Sequence, residues 1–539
     1  MEVTVGTEES DENFREAAKQ NEATLDALHR FDRSLLTPEQ QDTYDLLDWS
    51  GKLSQKSYED RFRYYGSHFS NLGGVHTSML TTLSELQVQS EEDLQKIPEL
   101  LRSIPSYIDS LLEYTRKQQE EKVLTIDFDT VIDICDSTAD QGEDSTVLLN
   151  LLAQAEGLGL SDEEVTRYQS EIRSAYVECF IPSYQKIADT MRELEHGFNN
   201  TEGMAALPEG KDYYAILFAA ATALDESPDE IREMAAERLD KTISRLGGLA
   251  FLYPDAYNAW VEGSYKTSFA SYEEMLQFLD SATDASFPDV GELSYVIDPI
   301  ADDVANSGVA AYFINPAIDE SGPLRIRVNT QNTVDMNALS TFSTLAHEGI
   351  PGHMYASAYS YQNLSSDFRK ILASQTGYNE GYATYIELLS LDYLESPEIP
   401  AEVLEMERLN AELSNCLVTI MDISVNYDGM SREEFADTFG EYIGSTFTDY
   451  YYDLMRLEPT AYLSYYAGWL KLESLRDYAE KELDDSFTEM GFHTAILKSG
   501  SVPYFIVERN VDAWIKEVKA NPGSSAAESE PASEPAKAA

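Results

Sequence analysis

Cysteine, basic side chains, histidine and long apolar runs are all scarce in this chain, and each scarcity narrows what the protein can be. Only three cysteines occur in 539 residues. Cys135, Cys179 and Cys416 each stand among apolar neighbours, so they read as buried free thiols and not as a disulfide framework. No Cys-x-x-Cys spacing is present to hold a metal. Lysine and arginine number 38 against 97 aspartates and glutamates, a formal net charge of −59. A surface of that sign repels nucleic acid and anionic membranes, which excludes both as partners. Acidity spread along the whole chain reads as solubility in a salty or extracellular setting, not as a site for cationic substrates. No stretch reaches the ~18 uninterrupted apolar residues of a membrane-crossing helix, so a soluble chain is expected. Met1 to Glu12 lack the basic and apolar regions of an export signal; if the protein is exported, the expectation is that its signal has been removed.

What is present is a large foldable body. Hydrophobic residues make up 43% and charged residues 25%, ample for a sizeable core in two lobes or in one helical body around a cleft. Residues 1–12 are acidic and aperiodic, and residues 521–539 are rich in Ser, Ala, Glu and Pro. Both ends are expected to be disordered. Between them the dominant period is helical: Phe14 to Phe31, Glu91 to Tyr114, Asp162 to Tyr184 and Asp229 to Leu246 repeat apolar residues at three- and four-residue steps. Ser161 and Ser227 read as N-caps before acidic first turns, and Gly247-Gly248 reads as a helix stop. Val309 to Thr330 differs. Two short apolar runs flank Asn-Pro and Glu-Ser-Gly-Pro turn signals, and Leu324 to Val328 alternates strictly, which predicts a β-hairpin.

The chemically informative segment is Ala346-His-Glu-Gly-Ile-Pro-Gly-His-Met-Tyr355. A zinc hydrolase needs neutral imidazoles or carboxylates around the ion, an open position for water, and a carboxylate to take that water's proton. The usual helical arrangement is His-Glu-x-x-His, because four residues make about one turn. Here His347 and Glu348 fit, but the second histidine arrives two positions late, at His353. On an unbroken helix six residues turn the chain about 600°, leaving the imidazoles roughly 120° apart around the axis. Pro351 and Gly352 stand where a helix breaks most easily. The motif therefore predicts a local loop that carries His353 back beside His347. Glu380, opening the segment Glu-Gly-Tyr-Ala-Thr-Tyr-Ile-Glu387 on a later helix, is the expected third ligand. Thr384 and Glu387, one and two turns on along the same face, are candidates to orient a ligand imidazole. Two of only seven histidines fall in this short motif.

His347-Glu-Gly-Ile-Pro-Gly-His353, Glu380 to Glu387, Ser464-Tyr-Tyr-Ala-Gly468, Leu475-Arg476 and Phe492-His-Thr-Ala-Ile-Leu-Lys-Ser-Gly-Ser-Val-Pro503 resemble signatures of the bacterial "domain of unknown function 885" proteins. The hairpin segment from Ala311 to Thr330 belongs to the same resemblance, which runs in order over most of residues 300–510. That family is regarded as similar to gluzincin metallopeptidases, with an architecture akin to carboxypeptidase Taq and the thimet-type oligopeptidases. The resemblance implies a mainly α, two-lobed helical fold with a deep channel and a small β-hairpin or sheet beside the active site. It also implies one Zn2+ per chain and short peptides as substrates, hydrolysed in carboxypeptidase or oligopeptidase fashion. The expected organisation is a helical N-terminal lobe over 13–290 and a catalytic zinc-binding region over 291–520. Two departures exist: Met354 stands where family members often carry a further histidine, and Tyr382 where they often have tryptophan.

From this follows an expected mechanism in which Glu348 is the general base, with zinc on His347, His353 and Glu380. Tyr465, at the tyrosine of the Ser-Tyr-x-x-Gly signature, and His493, in the last motif, are candidates to stabilise the oxyanion. Arg476 is a candidate for a substrate carboxylate, and Tyr504 a further substrate-binding candidate. An exposed hairpin strand could also pair with an extended peptide. Two other functions fit the same residues: a metal-dependent hydrolase of another amide or ester, and a non-catalytic peptide-binding lipoprotein with a structural metal. The family contains exported and lipid-anchored members, so an extracytoplasmic location is expected, with the cytoplasm as the alternative.

Overall fold

The computed structural model describes residues 3–300, 310–316, 318, 322–330, 335–372, 374–394 and 398–521. The expected disordered tail beyond residue 521 lies outside these. The acidic start is not free of structure: the Val5 amide donates to Ser103 Oγ at 3.0 Å and the Glu9 amide to Ser110 Oγ at 2.9 Å. Helix α1 (Asp11–Leu28) then begins at the Ser10 cap.

Among the described residues twelve α-helices precede the sheet: after α1 come α2 (Pro38–Ser57), α3 (Val75–Ser84), α4 (Glu91–Glu120), α5 (Phe128–Gln141), α6 (Thr146–Ala153), α7 (Asp162–Ala175), α8 (Ile181–Leu194), α9 (Gly210–Thr222), α10 (Pro228–Leu252), α11 (Pro254–Val261) and α12 (Tyr272–Thr283). The N-caps foreseen at Ser161 and Ser227 are formed, and both are capping boxes, each hydroxyl accepting from the amide three residues on. The stop at Gly247-Gly248 is not: α10 runs on to Leu252. Leu249 packs against Met406 and Leu409 there, and burying that leucine outweighs the propensity cost of two exposed-face glycines. The predicted helix to Tyr184 is interrupted by a π-turn at Tyr176–Phe180, whose two rings stack at 4.4 Å.

The hairpin is present with a third strand beside it. Strands β1 (Tyr295–Pro299), β2 (Ala311–Ile314) and β3 (Leu324–Val328) are ordered β1-β3-β2, β3 parallel to β1 and antiparallel to β2. The alternation read in Leu324 to Val328 sorts as expected: Ile326 and Val328 are buried, while Arg327 turns the other way to pair with Glu85 at 2.8 Å.

The second half is helical: α13 (Leu339–Glu348), α14 (His353–Asn363), α15 (Asp367–Leu372), α16 (Thr376–Tyr393), α17 (Ala401–Asn426), α18 (Arg432–Ile443), α19 (Thr448–Leu457), α20 (Leu463–Leu483), α21 (Glu489–Leu497) and α22 (Tyr504–Ala520). Two main hydrophobic cores result. One gathers buried residues from Phe69 to Leu194; the other runs from Tyr214 to Ile515, with Leu46 joining it. Helices α9, α10 and α12 bury apolar residues in the same core as the site-bearing helices. Among the described residues no helix is long and apolar enough to cross a membrane.

Candidate metal centre

Helix α13 ends on His347 and Glu348, and α14 opens on His353. Between them residues 349–352 loop out, with a cis Ile350-Pro351 peptide. The Gly352 amide donates back to the Ala346 carbonyl at 3.0 Å, and the Tyr355 amide to the Gly349 carbonyl at 3.2 Å. Each bond spans six residues where a helix would span four, so the helical register resumes two residues late. This is the distortion the motif requires, and it brings the two imidazoles together, centroid to centroid 4.8 Å. Gly352 is obligatory for closeness of backbone: a Cβ there would collide with the carbonyl oxygens of His347 and Ala346.

The third group comes from α16, which packs along α13 and crosses α20. Glu380 Oε2 lies 3.2 Å from His353 Nε2 and 3.5 Å from His347 Nε2. One donor atom from each of the three residues falls within 4.8 Å of the others. Tetrahedral zinc ligands at ~2.0–2.2 Å from the ion stand roughly 3.3–3.6 Å apart, so the donor set suits zinc in chemistry and both Glu380–imidazole separations lie near that spacing. His347 Nδ1 meets Glu387 Oε2 at 3.1 Å, which leaves Nε2 for the centre. Thr384, the other candidate for that role, is buried and its hydroxyl makes no hydrogen bond among the described residues.

The electrostatics are those of a concentrated acidic pocket. Burial opposes charge on His347, yet Glu380, Glu387 and Glu348 outweigh it and hold its pKa well above the usual histidine value. Burial likewise opposes charge on Glu380, but the two imidazoles bring its pKa down to about 2. Glu348 goes the other way: burial raises it, against the pull of both histidines. Its Oε2 accepts from the Phe313 amide of β2 at 2.7 Å, a backbone donor that residue-by-residue reading of the sequence missed.

Two cavities meet at the centre. One, of about 350 Å3, opens on the His353 side past Phe313, Asn379 and Lys370. The other, of about 410 Å3, lies on the His347 side, walled by Tyr462, Tyr465, Tyr466, Thr384 and Leu72. Tyr465 stacks near His347 at 6.2 Å between centroids. Burial pushes its phenol pKa up, so it remains a donor at neutral pH.

The remaining candidates are elsewhere in the packing. His493 is fully buried against the Phe287 ring at 3.8 Å. Burial lowers its pKa to about 3. The neutral ring donates from Nδ1 to the Ser286 carbonyl at 2.7 Å and accepts at Nε2 from Tyr385 at 3.0 Å. Neither nitrogen is left for an oxyanion. Arg476 pairs with Glu480 at 2.8 Å and with Glu489, an internal network and not a substrate anchor. Tyr504 is buried, donates to the Gly377 carbonyl at 3.1 Å and plugs the crossing of Gly381 and Gly468. His493 and Tyr504 satisfy the core.

Solved structures share this fold. One, described as "putative lipoprotein from Colwellia psychrerythraea", matches with a TM-score of 0.81 at 17% identity, covering 95% of this chain and 92% of that one. Another, described as "a putative lipoprotein of unknown function from Shewanella oneidensis", matches with a TM-score of 0.66 at 16% identity over 94% and 93%. A comparison with curated proteins found no match. The family model described as "Bacterial protein of unknown function (DUF885)" matches residues 6–511, and with nearly the whole chain inside that match, the protein belongs to the DUF885 family.

Proposed function

We propose that the protein is a zinc-dependent metallopeptidase of short peptides, acting outside the cytoplasm. The observation that carries this reading is the convergence of His347, His353 and Glu380 on one point, with Glu348 at its edge and Glu387 behind His347. Those three residues would hold a zinc ion, which would supply Lewis-acid polarisation and acidify water at the site. Glu348, fixed by the Phe313 amide, takes the proton of the attacking water and passes it to the leaving amine. Tyr465 donates to the oxygen on which negative charge develops.

Peptides are favoured over other amides and esters by the position of β2. It is the edge strand of the sheet, and its Phe313 amide points to Glu348, so the strand edge borders the site and can take an extended chain by strand addition. The description of two fold relatives as lipoproteins supports the extracytoplasmic location. The test is Glu348→Gln assayed against mixed peptides. Turnover should fall by about 100-fold or more while bound zinc is unchanged. Full activity in the variant would overturn the assignment, and no hydrolysis by the zinc-loaded parent protein would overturn the function.

A further inference from the structure

Buried polar groups in a folded protein are almost always paired, and the wall of the His347-side cavity departs from that rule. We propose that this cavity is a specificity pocket for a basic side chain, lysine or arginine, on the residue whose carbonyl is attacked. This rests on the peptidase reading above.

Thr384 lies mid-helix on α16 and is 2% exposed. A threonine so placed often bonds back to the carbonyl one turn before it. Its hydroxyl instead makes no hydrogen bond among the described residues, and the side chain stands in the cavity wall. Asn415 of α17 lines the same cavity and is 6% exposed. Its main-chain carbonyl accepts from Thr419 at 2.8 Å, while its carboxamide has no hydrogen-bond partner among the described residues. Glu387 is the one carboxylate in the described wall. Its Oε2 meets His347 Nδ1 at 3.1 Å, and its Oε1 has no partner among the described residues. The rings of Tyr462 and Tyr466, stacked at 6.2 Å between centroids, belong to the same wall. No lysine or arginine stands among the described lining residues.

One kind of guest satisfies all of these groups. An ammonium or guanidinium carries only donors; the carboxylate, the carboxamide oxygen and the hydroxyl can accept from it, and the phenol faces add cation–π attraction. An acidic side chain is repelled by Glu387. An apolar one suits the tyrosines but leaves Thr384, Asn415 and Glu387 covered without partners, which is costly. At about 410 Å3 the cavity lies within the ~300–1,000 Å3 range of ligand pockets, room enough for a long side chain. The net charge of −59 raises the local concentration of cations but selects no position; the cavity does. Its place relative to the cleaved bond follows from the chemistry. In hydrolysis the peptide C–N bond breaks, hydroxide from water joins the carbonyl carbon, and the water's other proton reaches the leaving nitrogen through Glu348. Glu348 is bonded to Phe313, which lines the other cavity, so the leaving fragment departs there. The residue that keeps the carbonyl then faces His347 and Tyr465, both of which line the tyrosine-walled cavity.

The test uses short peptides of matched sequence with lysine, arginine, glutamine, norleucine or glutamate at one position, the zinc-loaded full chain, and mass spectrometry of the products. Cleavage on the carboxyl side of lysine or arginine should exceed that after the other three by roughly tenfold to hundredfold in kcat/KM. Asn415→Leu and Thr384→Val should each cut the preference, by about tenfold for Asn415→Leu. Asn415→Asp should enlarge it, a gain that a misfolded variant cannot give. Calorimetry on the Glu348→Gln protein should show tighter binding of the lysine peptide than of the norleucine peptide, and adding Asn415→Leu should shrink that difference. Hydrolysis without a preference for basic residues, or a preference undiminished in both Asn415→Leu and Thr384→Val, overturns the proposal. So does a preference for a basic residue after the cleaved bond and not before it. Lysine-selective binding without any hydrolysis would overturn the peptidase reading and leave the basic-side-chain pocket standing; absence of both would overturn both.

Discussion

A ligand histidine is only as good as the group that orients it. Glu387 holds His347 through Nδ1 at 3.1 Å, fixing the tautomer that presents Nε2. Glu387→Gln keeps the shape and weakens that hold, and zinc affinity by chelator competition should fall about 10- to 100-fold. Retained affinity would show that the contact does not orient the ligand. At this scale the sequence was informative where residues act through spacing: His347, Glu348, His353, Glu380 and Glu387 assemble as their intervals require. It was uninformative for His493, Tyr504 and Arg476. A polar residue inside a signature can serve the core as readily as the cleft, and only its partners, Ser286 and Tyr385 in the case of His493, decide which. The Phe313 amide that holds Glu348 carried no sequence signal, because it is backbone.

Glu380 is placed by the crossing of α16 and α20, where backbone meets backbone. A Cβ on Gly381 would come 2.6 Å from the Gly468 Cα and would also strike the Tyr504 hydroxyl. Gly381→Ala must push the helices apart, costing ~1–3 kcal/mol of stability, and should loosen zinc binding because Glu380 is its neighbour. Denaturant unfolding and chelator competition measure the two effects, and an alanine tolerated in both would contradict this account of the crossing. Helices with strong caps were legible, as was the hairpin, because caps and strict alternation are local signals. The run of α10 through Gly247-Gly248 was not, since a distant contact of Leu249 with Met406 and Leu409 decides it. Strand β1 was missed for the same reason: its pairing with β3 is long-range.

Two cores share one site, and the tie between them is itself titratable. Glu458, buried before α20, accepts from the Asn71 and Leu72 amides at 2.5 and 3.2 Å, and Leu72 lines the His347-side cavity. Burial raises the Glu458 pKa from 4.5 to about 7 despite those donors. Its contribution to stability is therefore fully present below about pH 4.5 and is lost as pH rises through about 7, by at most about 3 kcal/mol. Comparing the parent with Glu458→Gln between pH 5 and pH 8 removes the general effect of the acidic surface. The stability of the parent relative to the variant should decline over that window; a constant difference would mean that Glu458 is not held neutral. That α9, α10 and α12 share a core with the site-bearing helices was not legible, because they carry no motif and their packing is long-range.

The most direct check is metal analysis by elemental mass spectrometry of the purified, zinc-loaded protein beside His353→Ala. About one zinc per chain in the parent and a large loss in the variant is the predicted result. No metal in the parent, or equal metal in both, would contradict the claim that the stretched motif closes on an ion.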